Sequence, residues 1–153
     1  FRAFEESGMP LNVYDRNHGR FSHCLEFCFP KRHGITVNPK VHYWETAGLY
    51  KTHALSLNVN SVTDSESMCS RRLLEILACG GIAMTNASRC VEKYFKDYCH
   101  VVSTFDEAAE LIARMKYGPG REDLERAEAG ARYVLSEHTW SDRLKQICEV
   151  VNI

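Results

Sequence analysis

One run, residues 64–81, constrains this chain more than any other: DSESMCSRRLLEILACGG. A small polar stretch leads directly into apolar positions at Met68, Leu73, Leu74, Ile76 and Leu77, and Gly80 with Gly81 ends the pattern. The apolar residues 82–84 follow at once, so the spacing predicts a helix, a glycine turn and a buried strand. Just upstream, Leu57 and Val59 suit a buried strand that Asn58 and Asn60 interrupt, and residues 61–67 read as a polar loop.

The same alternation recurs along the chain. A helix over residues 1–7 is stopped by Gly8 and Pro10 before an apolar strand at residues 11–14. Residues 21–37 show no sustained period and read as loop with short elements, and residues 46–55 as a short helix. Downstream come a helix at residues 90–95 and a small strand at Val101 and Val102. Thr104 and Glu107 carry the signature of a capping box before Ala108, Leu111 and Ile112. After a Gly/Pro turn, Leu124, Ala127, Ala131, Val134 and Leu135 place an apolar stripe on a long helix. Thr139 and Asp142 cap a final helix bearing Leu144, Ile147 and Val151. Strands separated by helices give an α/β fold: a three-layer, Rossmann-like parallel sheet with helices on both faces. At 153 residues the chain forms one domain, residues 1–153, with its own core.

Charge and composition narrow the function. Nineteen Lys and Arg against twenty Asp and Glu leave a net charge of -1, which supplies no field for gathering nucleic acid or anionic lipid. No apolar run reaches membrane-spanning length, and the amino end has neither a basic nor an apolar signal region. The seven cysteines are odd in number and scattered, so they read as reduced and the setting as cytoplasmic. Zinc-type spacings are absent; Cys24 and Cys28 read as core or free thiols, and no metal site is expected. The dinucleotide fingerprint and the phosphate loop are also missing.

What remains is the start of the helix in residues 64–81. The amides of residues 67–71 can receive a diphosphate, Arg71 or Arg72 can neutralise it, and Glu75, one turn deeper, can accept hydrogen bonds from sugar hydroxyls. A capped helix with solvent-facing arginines fits the same residues, and spacing alone leaves both readings open. The aromatic group His42, Tyr43, Trp44 and Glu45 suits a sugar or base site as well as it suits core packing. Arg20, Lys31, Arg32 and Lys40 read as surface charge, and the pairs Glu122 with Arg126 and Glu128 with Arg132 as helix-stabilising contacts.

The run SESMCSRRLLEILACGGIAMTN resembles the donor-binding motif of retaining glycosyltransferases with two facing Rossmann-like lobes, closest to the spore-maturation (CgeB-like) group 1 glycosyl transferases. The neighbouring LSLNVN and the later SEHTWSDRLKQI extend the similarity over roughly the last hundred residues. The resemblance implies the carboxy-terminal half of a GT-B enzyme, with a nucleoside diphosphate sugar as donor, an unknown acceptor and no cofactor. On this similarity Glu75 is the second of the family's paired glutamates and holds the ribose, while Ser67 stands where the first is usual. Ser65, Ser70, Arg71 and Arg72 face the diphosphate, Arg71 and Glu75 are the catalytic positions, and Asn86 edges the cleft. No metal is implied. The amino-terminal acceptor lobe, and a first strand preceding residue 1, are expected to lie outside the chain. Two other readings stand beside this one: an α/β signalling or binding module, and a glycosyltransferase-derived lobe that has lost donor binding through the change at Ser67.

Overall fold

The computed structural model describes residues 1–19, 29 and 32–152, in which short parallel strands alternate with helices. The order is α1 (Arg2–Ser7), β1 (Leu11–Asp15), β2 (Ile35–Pro39), a single 3-10 turn (Tyr43–Glu45), α2 (Thr46–Thr52) and β3 (Ser56–Asn58). It continues with α3 (Arg71–Ala78), β4 (Ala83–Asn86), α4 (Arg89–Tyr94), β5 (His100–Val102), α5 (Phe105–Met115), α6 (Arg121–Glu137) and α7 (Trp140–Val151). The fold is α/β and Rossmann-like, as expected. The strands form two parallel ladders: β1 beside β2, and β3-β4-β5 with β4 central.

Strand β4 explains the layering. Its Ala83 belongs to one core cluster, with Leu73, Ile76 and Leu77 of α3, Cys90 and Val91 of α4, and Phe95. Ile82 and Met84, pointing to the opposite face, join Ala3 and Phe4 of α1 and Leu111, Ile112 and Met115 of α5. Alternate side chains of one strand therefore meet helices on both sides, the signature of a buried parallel sheet. Leu73, Ile76 and Leu77 recur at helical spacing and are fully buried, each worth about 1.5–3 kcal/mol of transfer free energy. The two glycines after α3 have separate causes. Gly80 adopts φ 71°, and a Cβ on Gly81 would lie 2.8 Å from the Tyr50 carbonyl oxygen, so the chain can turn tightly into β4 only without side chains.

Both caps are formed: the Thr104 hydroxyl accepts from the Glu107 N–H at 3.2 Å, and that of Thr139 from the Asp142 N–H at 3.3 Å. Several other expectations are corrected. The end of the stretch read as loop with short elements, from Ile35 to Val37, belongs to a five-residue strand, β2, whose alternating Ile35 and Val37 pair with β1 despite Pro39 at the end. Val59 is 67% exposed, whereas Asn58 and Asn60 are buried, so the strand's polar residues face inward. Met68 precedes α3 and is exposed. On α6 the buried face is Asp123, Ala127, Gly130 and Val134, leaving Leu124 and Leu135 in solvent. Asp123 is admitted because Arg114 and the Gly120 N–H satisfy its carboxylate. Arg126 bonds the Cys99 carbonyl rather than Glu122, while Glu128 and Arg132 do pair. His138 packs among Tyr94, Phe95 and Tyr133, and Trp140 at the start of α7 is 83% exposed.

The reading of seven reduced cysteines is also corrected. Cys69 and Cys90, separated by 21 residues, are joined in a disulfide with their Cα atoms 5.8 Å apart. Folding alone brings the loop before α3 onto the first turn of α4, so no sequence spacing announces the pair. Cys79, Cys99 and Cys148 are free, and Cys24, Cys28, Arg20 and Lys31 lie outside the described residues. Burial pushes the Cys99 thiol up to about 12, which leaves it protonated and unreactive at neutral pH. No helix among the described residues is long and apolar enough to cross a membrane.

Candidate functional site: the start of helix α3

The site is built where β3 and β4 end. Asn58 Nδ2 donates to Thr85 Oγ1 at 2.9 Å, and Asn60 Nδ2 donates to the same oxygen at 2.9 Å. The shortest bonds between Asn60 and Asn86 run from the Asn60 N–H to Asn86 Oδ1 at 2.7 Å and from Asn86 Nδ2 to the Asn60 carbonyl at 3.1 Å. These amides join the strands at the point where they finish and satisfy most of the polar groups buried there, Asn58 Oδ1 alone in the cluster having no hydrogen-bond partner among the described residues. Asn60 Oδ1 also accepts the Ser70 N–H at 3.2 Å. Ser70 is the residue preceding α3, so a buried strand-end amide fixes the beginning of the helix.

The loop between them is gripped from α4. The Arg89 N–H bonds the Thr63 carbonyl at 2.8 Å, Glu66 pairs with both Arg89 and Lys93, and the disulfide anchors Cys69 to Cys90. Lys93 holds the Glu66 carboxyl below the usual carboxylate range. Ser65 closes a local turn, its hydroxyl accepting from the N–H groups of Ser67 and Met68 at 3.3 and 3.2 Å. The amides of Ser67 and Ser70 therefore already have partners. Arg71 and Arg72, the first two residues of α3, keep the orphan N–H groups of a helix start, with no acceptor among the described residues.

A second cluster lies one turn along α3. Arg71 Nε bonds Glu75 Oε1 at 2.8 Å, and Tyr43 Oη donates to the same oxygen at 3.1 Å. The Arg71 guanidinium also stands 5.5 Å from the centre of the Tyr43 ring. The hydrogen bond to Glu75 raises the pKa of the Tyr43 hydroxyl, because phenolate beside carboxylate is unfavourable. Arg72 reaches the neighbouring Tyr50, whose phenol burial pushes up and Arg72 draws back.

The structure thus brings Arg71 and Glu75 together, adds Tyr43, and places Arg72 beside Tyr50. Ser65, Ser67 and Ser70 line the approach to α3, but no hydrogen bond joins them to Glu75 among the described residues. A shallow groove of about 680 Å3 at the end of β4 is lined by Thr63, Glu66, Ala87, Ser88, Arg89, Glu92 and Lys93. Neither Glu75 nor Arg71 lines it. Glu66, out of phase with Glu75 along the chain, faces this groove and α4 instead. Sequence reading takes Asn58 and Asn60 only as interruptions of the strand and does not single out Thr85. Their signal was two asparagines, two residues apart, inside an otherwise apolar strand.

No curated protein matches this chain significantly, and no solved structure does so. A family model described as glycosyl transferase-like matches residues 5–149. That span takes in the strand-end amides and every candidate residue at the start of α3, and the chain belongs to the glycosyl transferase-like family.

Proposed function

We propose that this chain is the nucleotide-sugar-binding lobe of a two-lobed, GT-B-type glycosyltransferase of the spore-maturation (CgeB-like) kind, acting with retention on a nucleoside diphosphate sugar. The observation that carries the reading is Arg71, Glu75 and Tyr43 meeting at the first turn of α3. A carboxylate there accepts ribose hydroxyls, while the orphan N–H groups of Arg71 and Arg72 and the positive helix end favour a diphosphate. Arg71 uses Nε for Glu75, which leaves its terminal nitrogens for phosphate oxygens. Charge grows on the leaving diphosphate as the glycosidic bond breaks, so donors fixed at that point stabilise the transition state more than the ground state. Arg71 and Glu75 are the catalytic positions in this reading, and Ser65, Ser67, Ser70 and Arg72 complete the donor site. An amino-terminal lobe supplies the acceptor pocket, and this chain alone binds donor without turning it over.

Calorimetric titration with UDP, GDP, ADP, TDP and CMP tests the reading. One nucleoside diphosphate is expected to bind with micromolar to millimolar affinity and to weaken with Glu75→Ala. No binding by the folded chain would sink it. A second reading, a lobe that has lost donor binding, draws on Ser67: where relatives with the paired motif carry glutamate, this serine's N–H is committed to the Ser65 turn.

A further inference from the structure

We propose that Tyr43 is the base-stacking residue of this donor site, and that its hydroxyl keeps the place of a ribose hydroxyl until the nucleotide arrives. The inference rests on the donor-lobe reading and deepens it by naming the residue that meets the base and how it is displaced by the ribose.

Tyr43 is 63% exposed and its neighbour Trp44 is 75% exposed, so core packing does not account for either ring. Tyr43 nevertheless reaches across 32 residues of sequence to Glu75, and its ring takes the Arg71 guanidinium. The turn that presents it is well held. The His42 N–H donates to Glu45 Oε2 at 2.8 Å, Thr46 Oγ1 donates to the Tyr43 carbonyl at 2.6 Å, and the His42 ring stacks on Trp44 at 4.4 Å. With the backbone fixed, the Tyr43 side chain can move by rotation about its own bonds.

The chemistry of exchange is conservative. A ribose hydroxyl, like the phenol, offers one O–H to Glu75 Oε1, so replacing one by the other leaves the carboxylate satisfied. The displaced ring stays beside the ribose, where a base carried by that ribose presents a flat face. Base–aromatic stacking tolerates any base, so this contact confers affinity for nucleotides without choosing among them.

The test is calorimetry on the wild-type chain, Tyr43→Ala and Tyr43→Phe, each titrated with UDP, GDP, ADP and TDP and with inorganic pyrophosphate, after circular dichroism has shown all three folded. Tyr43→Ala should weaken the nucleoside diphosphate that binds about tenfold, the scale of one base–aromatic stack, and leave pyrophosphate unchanged. Tyr43→Phe should bind that nucleotide within about threefold of wild type, because it keeps the ring and gives up one exchangeable hydrogen bond. Nucleotide binding unaffected by Tyr43→Ala, equal losses for pyrophosphate, or a Tyr43→Phe loss as large as that of Tyr43→Ala would each overturn the inference. If wild type binds no nucleoside diphosphate, the donor-lobe reading itself fails and takes the inference with it. Wild-type binding that Tyr43→Ala leaves intact removes the inference alone.

Discussion

The Asn60 side-chain oxygen holds the Ser70 N–H at 3.2 Å, which ties the end of a buried strand to the first residue before α3. Asn60 is 4% exposed and shares Thr85 Oγ1 with Asn58, so the start of the helix is set by groups that solvent barely reaches. Removing the amide leaves the Ser70 N–H without its acceptor and takes from Thr85 Oγ1 one of its two amide donors, Asn58 remaining. Asn60→Ala should therefore cost about 1–3 kcal/mol in urea unfolding, the usual price of an unsatisfied buried polar group. A change within the error of the wild-type midpoint would mean that the cluster does not fix this end of the sheet.

The disulfide encloses α3 and β4 in a loop whose ends are 21 residues apart. Cross-linking such a loop restricts the unfolded chain, so reduction or Cys90→Ser should lower stability by about 2–4 kcal/mol. Urea unfolding with and without a dithiol reductant measures this. Alkylation followed by mass spectrometry should count two additional reactive thiols after reduction; an unchanged count would show that the bond is not formed in solution.

Acid should weaken the fold in two steps. His100 is partly buried and its pKa is lowered from 6.5, mainly by desolvation, so its neutral form contributes stability above that value that is lost as pH falls below it. Arg114 holds Asp123 at about 2, below the ordinary 3.8, so its stabilisation is present above 3.8 and disappears as pH falls toward 2. The Asp123 step is worth about 2 kcal/mol. Unfolding free energies measured from pH 8 to pH 2 should show both, and Asp123→Asn should remove the lower one. A lower step of the same size in that variant would assign it elsewhere.

Ser67 is exposed and touches only the Ser65 turn, so Ser67→Glu should change stability by no more than about 0.5 kcal/mol. If the donor sugar sits where the family's first glutamate usually reaches, the same variant should alter affinity for nucleoside diphosphate sugars while leaving the corresponding nucleoside diphosphate unchanged. Parallel titrations compare the two. Equal shifts for both ligands would place residue 67 away from the sugar.

The α/β class, the helix over the residues around Leu73, Ile76 and Leu77, the double-glycine turn into β4 and both capping boxes are legible from residue order alone. These are local matters: helical spacing, a glycine-only backbone and a side chain reaching three residues along the chain. Residue order also places Arg71 and Glu75 one turn apart, which a helix makes adjacent automatically. Tertiary structure decided the rest. Tyr43 meets Glu75, Cys69 meets Cys90 and Asn60 meets Thr85 and Ser70 only because separate strands and helices converge. Leu57 packs against the core as its alternation predicts, but Val59 beyond β3 faces solvent while Asn58 and Asn60 turn inward. Alternation tells which residues share a face, but not that Asn58 and Asn60 would be buried, which depends on the cross-strand partners that β4 supplies at Thr85 and Asn86.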